Sequence, residues 1–358
     1  MSTSSEERRS SIAAREKQLH VEFDNYAQTV TLVSSVEGWV RHKWGPAGEV
    51  APTLETFDRF PQCGEYRPDF LARFRTGYRL CGEVVRTFRN SDASRKDTEQ
   101  LVAYTHHLKE TADGGSCGDV LLLLHPYTDG IAAGALVNAA ASKLEEQRPQ
   151  TPIVIVGYML DRRAMGEWYD LMWRDQPGNA RFSEPNVVPI GEGTGLNDLV
   201  TAVPHVAIPV DSAALDVFTS NPLINDDPPP FYAAVVVIIP AINELLSEED
   251  RDELSTVGRV SKRVSRDMLA ATECISSVNP PSRYLQVGLD FMVEHGWART
   301  IADTAPPEYD VEVNLKRLQG KDPARLLLQQ AARRFVDRIL AQRARARRRA
   351  AKSQLRLL

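Results

Sequence analysis

The sequence predicts an α/β protein: a three-layer domain around a central mixed sheet, followed by a mainly helical domain and a basic C-terminal helix. Three observations carry this prediction. Two runs that alternate like β-strands flank a short turn at Arg75, Thr76 and Gly77. Helix-like and strand-like segments then take turns as far as Trp173, the pattern of a layered α/β domain. Arginine-rich helical periodicity closes the chain.

Residues 1–20 are rich in Ser and charge, the composition of a flexible arm, with a partial helical pattern at Ile12 to Leu19. Tyr26 to Trp44 reads as a helix offering Val30, Leu32, Val36 and Val40 for burial, with Glu37 as an acidic residue on it. After the hairpin come a helix over 97–110, a strand at Val120 to Leu124, an Ala-rich helix from Ile131 to Glu146, a strand at Ile153 to Leu160 and a further strand within Met165 to Trp173. These fill a domain spanning 21–175. The stretch from Asp175 to Pro230 is rich in Pro, Gly, Asn and Asp and reads as a linker or cover over 176–230. Its boundary is the run Asp226-Asp227-Pro228-Pro229-Pro230, where consecutive prolines forbid helix.

Beyond that run, helices are predicted at Ile242 to Val257, Ser261 to Cys274 and Ser282 to His295, the last ended by Gly296. Trp297 to Ile301 and Tyr309 to Leu315 alternate like strands, with Pro306-Pro307 between them. Three helices followed by a two-stranded wing resemble a winged-helix module over 231–320, which implies DNA reading or protein binding. The helix before the wing carries Arg283 and Gln286 but also Asp290 and Glu294, poor electrostatics for DNA.

The basic helix, 321–358, holds ten Arg or Lys between Arg333 and Arg356 against one acid, Asp337. That local +9 leaves −14 for the remainder of a chain whose net charge is −5, so the molecule is bipolar. Leu328, Ala332, Phe335 and Ile339 form an apolar stripe that docks the start of this helix. The cluster Arg343, Arg345, Arg347, Arg348, Arg349 and Lys352 suits phosphate-backbone contacts that weaken with salt. A solvated helix end, an anionic membrane surface or the acidic body of the protein itself would suit it equally.

The hairpin carries the chemistry. Asp69 and Glu83 lie equidistant from Thr76, so a chain that reverses there makes them cross-strand neighbours with Cβ atoms about 5 Å apart. Two carboxylates that close repel unless a cation or a shared proton holds them. Mg²⁺, or Mn²⁺, is the natural candidate. The register sets Arg67 and Val85 on the same face as the two acids, and Phe70, Ala72, Phe74, Tyr78, Leu80 and Val84 on an apolar face opposite, where Arg86 also points.

Arg67-Pro68-Asp69-Phe70, Gly82-Glu83-Val84-Val85 and Gln100-Leu101-Val102-Ala103-Tyr104 together resemble the PD-(D/E)XK, or restriction-endonuclease-like, nuclease superfamily over roughly residues 60–170. The resemblance implies that domain's fold, with metal held by Asp69 and Glu83 and a Q-x-x-x-Y element at Gln100 and Tyr104. The family's lysine, two residues after the Glu, is replaced by Val85, so the resemblance is degenerate at the catalytic lysine. Arg67, across from Val85, and Lys96, at the head of the next helix, are the candidate substitutes. Arginine orients a phosphate but does not act as a base. Each residue also has a plainer role: Asp97 with Gln100 fits a helix cap, and Tyr104 lies on the apolar stripe between Leu101 and Leu108.

Other features exclude more than they suggest. Cys63, Cys81, Cys117 and Cys274 form no C-x-x-C pair, so neither zinc site nor disulfide framework is indicated. His106, His107 and His125 read as surface or capping residues. Gly191, Gly193 and Gly195 lack the Lys-Ser/Thr of a phosphate loop. The longest apolar runs fall far short of a membrane helix, and the expected location is cytoplasmic, with no membrane partner.

Three functions compete. The first is a nucleic-acid-associated protein, DNA favoured, on a degenerate nuclease-like domain, a subunit of a DNA-processing or defence assembly with no metal if the site is inactive. The second is an active Mg²⁺-dependent DNA endonuclease with a substituted cation. The third is a protein-interaction scaffold, and a protein partner or homo-oligomer is expected with any of them.

Overall fold

In the computed structural model the described residues are 3–44, 53–63, 65–75, 77, 79–86, 91–110, 119–129, 132–136, 139–140, 153–163, 166–172, 205–216, 219–223, 228–276, 283–301, 304, 306–314 and 323–354. The chain divides into two units, Thr29–Ala214 and a second made of Met1–Gln28 with Leu215–Leu358. The boundary after Ala214 precedes the proline run. Within the stretch expected to be an arm, helix α1 (Thr3–Trp44) begins at Thr3, and Leu19 is buried.

The first unit is built on a mixed seven-stranded sheet whose spatial order follows the chain: β1 (Leu54–Arg59), β2 (Phe70–Phe74), β3 (Arg79–Val84), β4 (Val120–Pro126), β5 (Ile153–Arg163), β6 (Gly166–Met172) and β7 (His205–Pro209). β3, β4 and β5 are parallel neighbours and the remaining pairs are antiparallel. Helix α2 (Ser91–Glu110) connects β3 to β4, and a helical stretch at 132–136 lies between β4 and β5. Right-handed crossovers stepping the same way along a sheet fall on one face. Accordingly Leu101, Tyr104 and Leu108 of α2 and Ala133 and Leu136 share a core with Leu71, Cys81, Leu121, Leu123 and Ile153.

The hairpin has the expected register: Phe70 opposes Gly82, Leu71 Cys81, Ala72 Leu80 and Arg73 Arg79. Its reversal uses Gly77 at φ 86, whose N–H donates to the Phe74 carbonyl at 2.9 Å; Thr76 and Tyr78 lie outside the described residues. The face bearing the two acids differs from expectation. It is not a charged surface, because Leu71 and Cys81 on it are covered by α2, and its charge lies at the two ends, Asp69 and Glu83 at one and the paired Arg73 and Arg79 at the other. Both faces are core, as strands between covering layers require.

Two strands escaped the sequence reading. β1 is interrupted by a bulge between Leu54 and Thr56, and β7 lies inside the stretch read as linker. Glu37 is committed to structure, accepting from Arg41 at 2.8 Å and from Arg59 at 2.7 Å. Where β3 and β4 begin, Arg79 donates to Asp119 at 2.6 Å and to the Leu108 carbonyl near the end of α2.

In the second unit, the helix expected from Ile242 to Val257 is divided between the end of α3 (Pro230–Glu244), which starts well before it, and a second helix. The α3 run Ala233–Ile238 is π-helical, with the Ile239 N–H bonded to the Ala234 carbonyl. Pro240 explains this: a proline lacks an N–H and clashes with the carbonyl four residues back, so the preceding turn widens. After a capping box at Ser247 and Asp250 comes α4 (Glu248–Val257). The helix predicted over Ser261 to Cys274 is instead β8 (Arg259–Ser265), α5 (Arg266–Ala270) and α6 (Glu273–Ser276). Val260 and Val264 are buried there and their strand pairs with the segment Glu308–Asn314, a tertiary contact that overrides local propensity. α7 (Arg283–Glu294), β9 (Ala298–Ile301) and β10 (Glu308–Asn314) follow, with sheet order β8-β10-β9.

Gly296, at φ 65, ends α7 as expected, with Gly296 N–H on the Val293 carbonyl and Trp297 N–H on that of Met292. Gly288 permits close helix packing, since a Cβ there would stand 2.5 Å from Ile238 Cδ1. Phe23, Phe231, Phe291 and Trp297 form edge-on contacts at the centre of this unit. The basic helix α8 (Pro323–Gln354) docks through Leu327, Leu328, Ala331, Ala332 and Val336, a stripe broader than the expected one. Among the described residues no single helix is long and apolar enough to cross a membrane.

A Cβ at Gly82 would lie 2.0 Å from the Phe70 ring, so Gly82→Ala forces apart the pair that fixes the hairpin register. It should destabilise the fold by at least about 1–3 kcal/mol, the usual cost of overpacking. Gly38→Ala, in open space on α1, should stabilise by about 0.5–1 kcal/mol. Urea unfolding of the two variants checks both signs.

Candidate functional site

Asp69 stands immediately before β2 and Glu83 at the penultimate position of β3, and the Phe70–Gly82 pairing brings them together. Asp69 accepts the Val84 N–H at 2.7 Å, and Glu83 accepts the Tyr104 hydroxyl at 3.2 Å. Burial pushes the Asp69 carboxyl from its ordinary 3.8 up to about 6, against the stabilising Val84 N–H and the charge of Arg86. Glu83 is raised well above its usual range, by burial first and by the neighbouring Asp69 second. Both shifts favour the neutral carboxyl, the direction expected of like charges brought together under burial.

The remaining expected residues divide. Tyr104 is both core and site: its ring is fully buried in the α2 layer while its hydroxyl reaches Glu83. Gln100, one turn earlier on α2, is half-buried. Lys96 is exposed, with its charge acting on Asp97. Arg67 does not fill the volume at the acids. Its Nε donates to Gln62 at 2.7 Å and its guanidinium lies 5.2 Å from the Phe60 ring centre. Val85 packs against the apolar cluster that includes Tyr104, so the lysine's place is occupied by core.

Asp97 is not a helix cap. α2 begins at Ser91, which leaves Asp97 inside the helix, where its charge raises Glu83. The spacing from Asp97 to Gln100 and Tyr104 was a signal for this, since residues three and seven apart share a helix face. Arg86 was also under-read. It lies just beyond β3, beside Asp69, Tyr158 and Tyr169 in electrostatic terms, and burial lowers its pKa. His125, expected at the surface, is fully buried, and its Nδ1 donates to the Pro126 carbonyl at 2.7 Å.

As a metal site, the pair offers hard carboxylate oxygens and no nitrogen or sulfur. Among the described residues no group of three or more His, Cys, Asp or Glu is placed to hold a metal. Two carboxylates suit Mg²⁺, which keeps most of its waters, and do not suit Zn²⁺.

On the basic helix, Arg343 and Arg345 are exposed, whereas the side chains of Arg347, Arg348, Arg349 and Lys352 lie outside the described residues. Earlier basic residues turn inward: Arg334 donates to the carbonyls of His295 and Gly296, and Arg338 pairs with Glu294. Cys117 and Gly191, Gly193 and Gly195 lie outside the described residues.

Comparison with protein-family models, with curated proteins and with solved structures gives no match.

The acid pair predicts a pH dependence. A carboxyl whose folded pKa is raised contributes stability that is full below its unfolded pKa and is lost as pH rises through the folded one. For Asp69 that window runs from about 4 to about 6. Asp69→Asn, which keeps an acceptor for Val84, should therefore gain stability over the wild type across that window, by about 2–3 kcal/mol at pH 7–8 without metal. Denaturant melts at pH 4 and pH 8 measure the difference.

Proposed function

We propose that this chain is a nucleic-acid-associated protein built on a PD-(D/E)XK-like domain whose Asp69/Glu83 pair takes a divalent ion, acting in the cytoplasm as a DNA-binding subunit of a larger assembly. The observation that carries the reading is the convergence of Asp69 and Glu83 across the Phe70–Gly82 pairing, with the Tyr104 hydroxyl on Glu83. These are three of the residues on which the family resemblance rests, and they meet at one point. The parallel pairing of β3 with β4 ends there, and the carboxyl ends of parallel strands are where open α/β sheets bind ligands.

A bound Mg²⁺ would supply Lewis-acid polarisation of a phosphate and a lowered pKa for coordinated water. The protein's own part is narrower. Asp69 and Glu83 hold the ion's position, Val84 orients Asp69, and Tyr104 orients Glu83. Val85 brings no charge to the attacking water, so phosphodiester hydrolysis is weak or absent on this reading. Losing one preorganised charge typically costs about 10²–10³ in rate.

The second unit supports the nucleic-acid reading. From α4 onward its helix-strand-helix-helix-helix-strand-strand order and its β8-β10-β9 sheet resemble those of a winged helix. α7 presents Asp290 beside Gln286, bonded at 2.8 Å, which favours a protein-facing over a DNA-reading role for that helix. Backbone binding then falls to the basic end of α8.

The active-endonuclease reading is kept alive by one observation, the Arg86 charge beside Asp69. One set of measurements separates the two. Mg²⁺ or Mn²⁺ should raise the melting temperature of the wild type and not of Asp69→Ala, while plasmid incubated with either metal stays uncut. Metal-dependent nicking lost in Asp69→Ala would establish the endonuclease, and no metal response at all would sink the site. Separately, deleting residues 341–358 should weaken DNA binding and flatten its salt dependence by about one unit of slope for each phosphate no longer neutralised; unchanged DNA affinity in a salt titration would refute the assignment of the basic end.

A further inference from the structure

Arg86 is a buried cation that the acid pair and its two orienting groups leave without a role. The Val85 N–H donates to the Leu124 carbonyl at 2.9 Å, so the ladder with β4 continues past Val84 and holds Arg86 at the carboxyl ends of the parallel strands. All three guanidinium nitrogens are buried, and none has a hydrogen-bond partner among the described residues. Five N–H donors left unmatched away from water are expensive, and a buried charge more so. The charged and titratable groups that act on Arg86 are Asp69, Tyr158 and Tyr169, and Tyr158 in turn responds to Asp129 in the turn after β4. The two tyrosine rings meet edge-on at 6.2 Å.

The guanidinium thus lies within electrostatic reach of two tyrosines and of Asp69, half of a carboxylate pair. A planar fork of donors in that setting matches two oxygens of a tetrahedral oxyanion. A phosphate fits better than a carboxylate ligand, because a phosphate shares its charge between a guanidinium and an ion held by the neighbouring acids. We propose that Arg86 is the phosphate-gripping residue of this site, binding a phosphodiester oxygen at the carboxyl end of β3. This rests on the reading of Asp69 and Glu83 as a phosphodiester-handling pair. It also relocates the missing cation to the residue after Val85, on the other face of the strand, where a guanidinium orients phosphate but relays no proton.

The test is thermal unfolding of the full chain, titrated with inorganic phosphate against chloride at matched ionic strength and without divalent metal. The wild type should show a saturable, phosphate-specific rise in melting temperature. Arg86→Lys, which keeps the charge but loses the fork, should need about tenfold more phosphate. Arg86→Met should show no phosphate-specific rise, yet melt at the wild-type temperature or above in chloride, because removing an unmatched buried cation is often neutral or stabilising. A wild type indifferent to phosphate, an Arg86→Met protein that keeps the rise, or an Arg86→Lys protein with the wild-type midpoint overturns the proposal. Failure of the underlying metal reading is seen separately, as absence of the Mg²⁺ response in a wild type that still responds to phosphate.

Discussion

The first unit depends on one cross-strand pair. Phe70 lies over Gly82 so closely that no other residue fits there, and this contact fixes which residues of β2 and β3 oppose one another. A slip of one residue in a strand sends every side chain to the opposite face. Asp69 and Glu83 are neighbours only in this register, and Leu71 and Cys81 reach the α2 core only in this register. Packing and site are therefore set by the same steric constraint.

Placing two acids together at the edge of a core has an electrostatic consequence that the rest of the site answers piecemeal. Two backbone N–H groups, of Val84 on Asp69 and of Asp69 on Glu83, and the Tyr104 hydroxyl do not offset burial, and both carboxyl pKa values rise. Val85 and Arg86, adjacent in sequence, part company because successive side chains leave a strand on opposite faces. Val85 enters the apolar cluster beneath α2, and Arg86 joins Tyr158 and Tyr169.

The second unit shows the same economy in backbone geometry. Pro240 widens the preceding turn of α3 into a π-helix, and Gly288 lets α7 approach that widened segment. Arg334 satisfies carbonyls at the end of α7, so the first part of the basic helix is structural. Further along, Arg343 and Arg345 are exposed, as Arg325 and Arg333 are before them.

Much was legible in the sequence because local rules decide it. Alternation about the turn gave the hairpin and its register, and hence Asp69 facing Glu83; Gly296 marked the end of α7. Reading failed where distant contacts decide. The strand at Arg259–Ser265 has a composition that also suits a helix, and only pairing with β10 settles it. Arg67 and Lys96 stood near the acids in the chain, but Gln62 and Phe60 engage the first and solvent surrounds the second. By itself, then, the sequence determined the mixed α/β class and the meeting of two acids, since strand periodicity and turn chemistry act over a few residues. Only the tertiary structure decided which faces are buried and which cation stands by the pair, because burial and charge environment are properties of segments brought together from far apart.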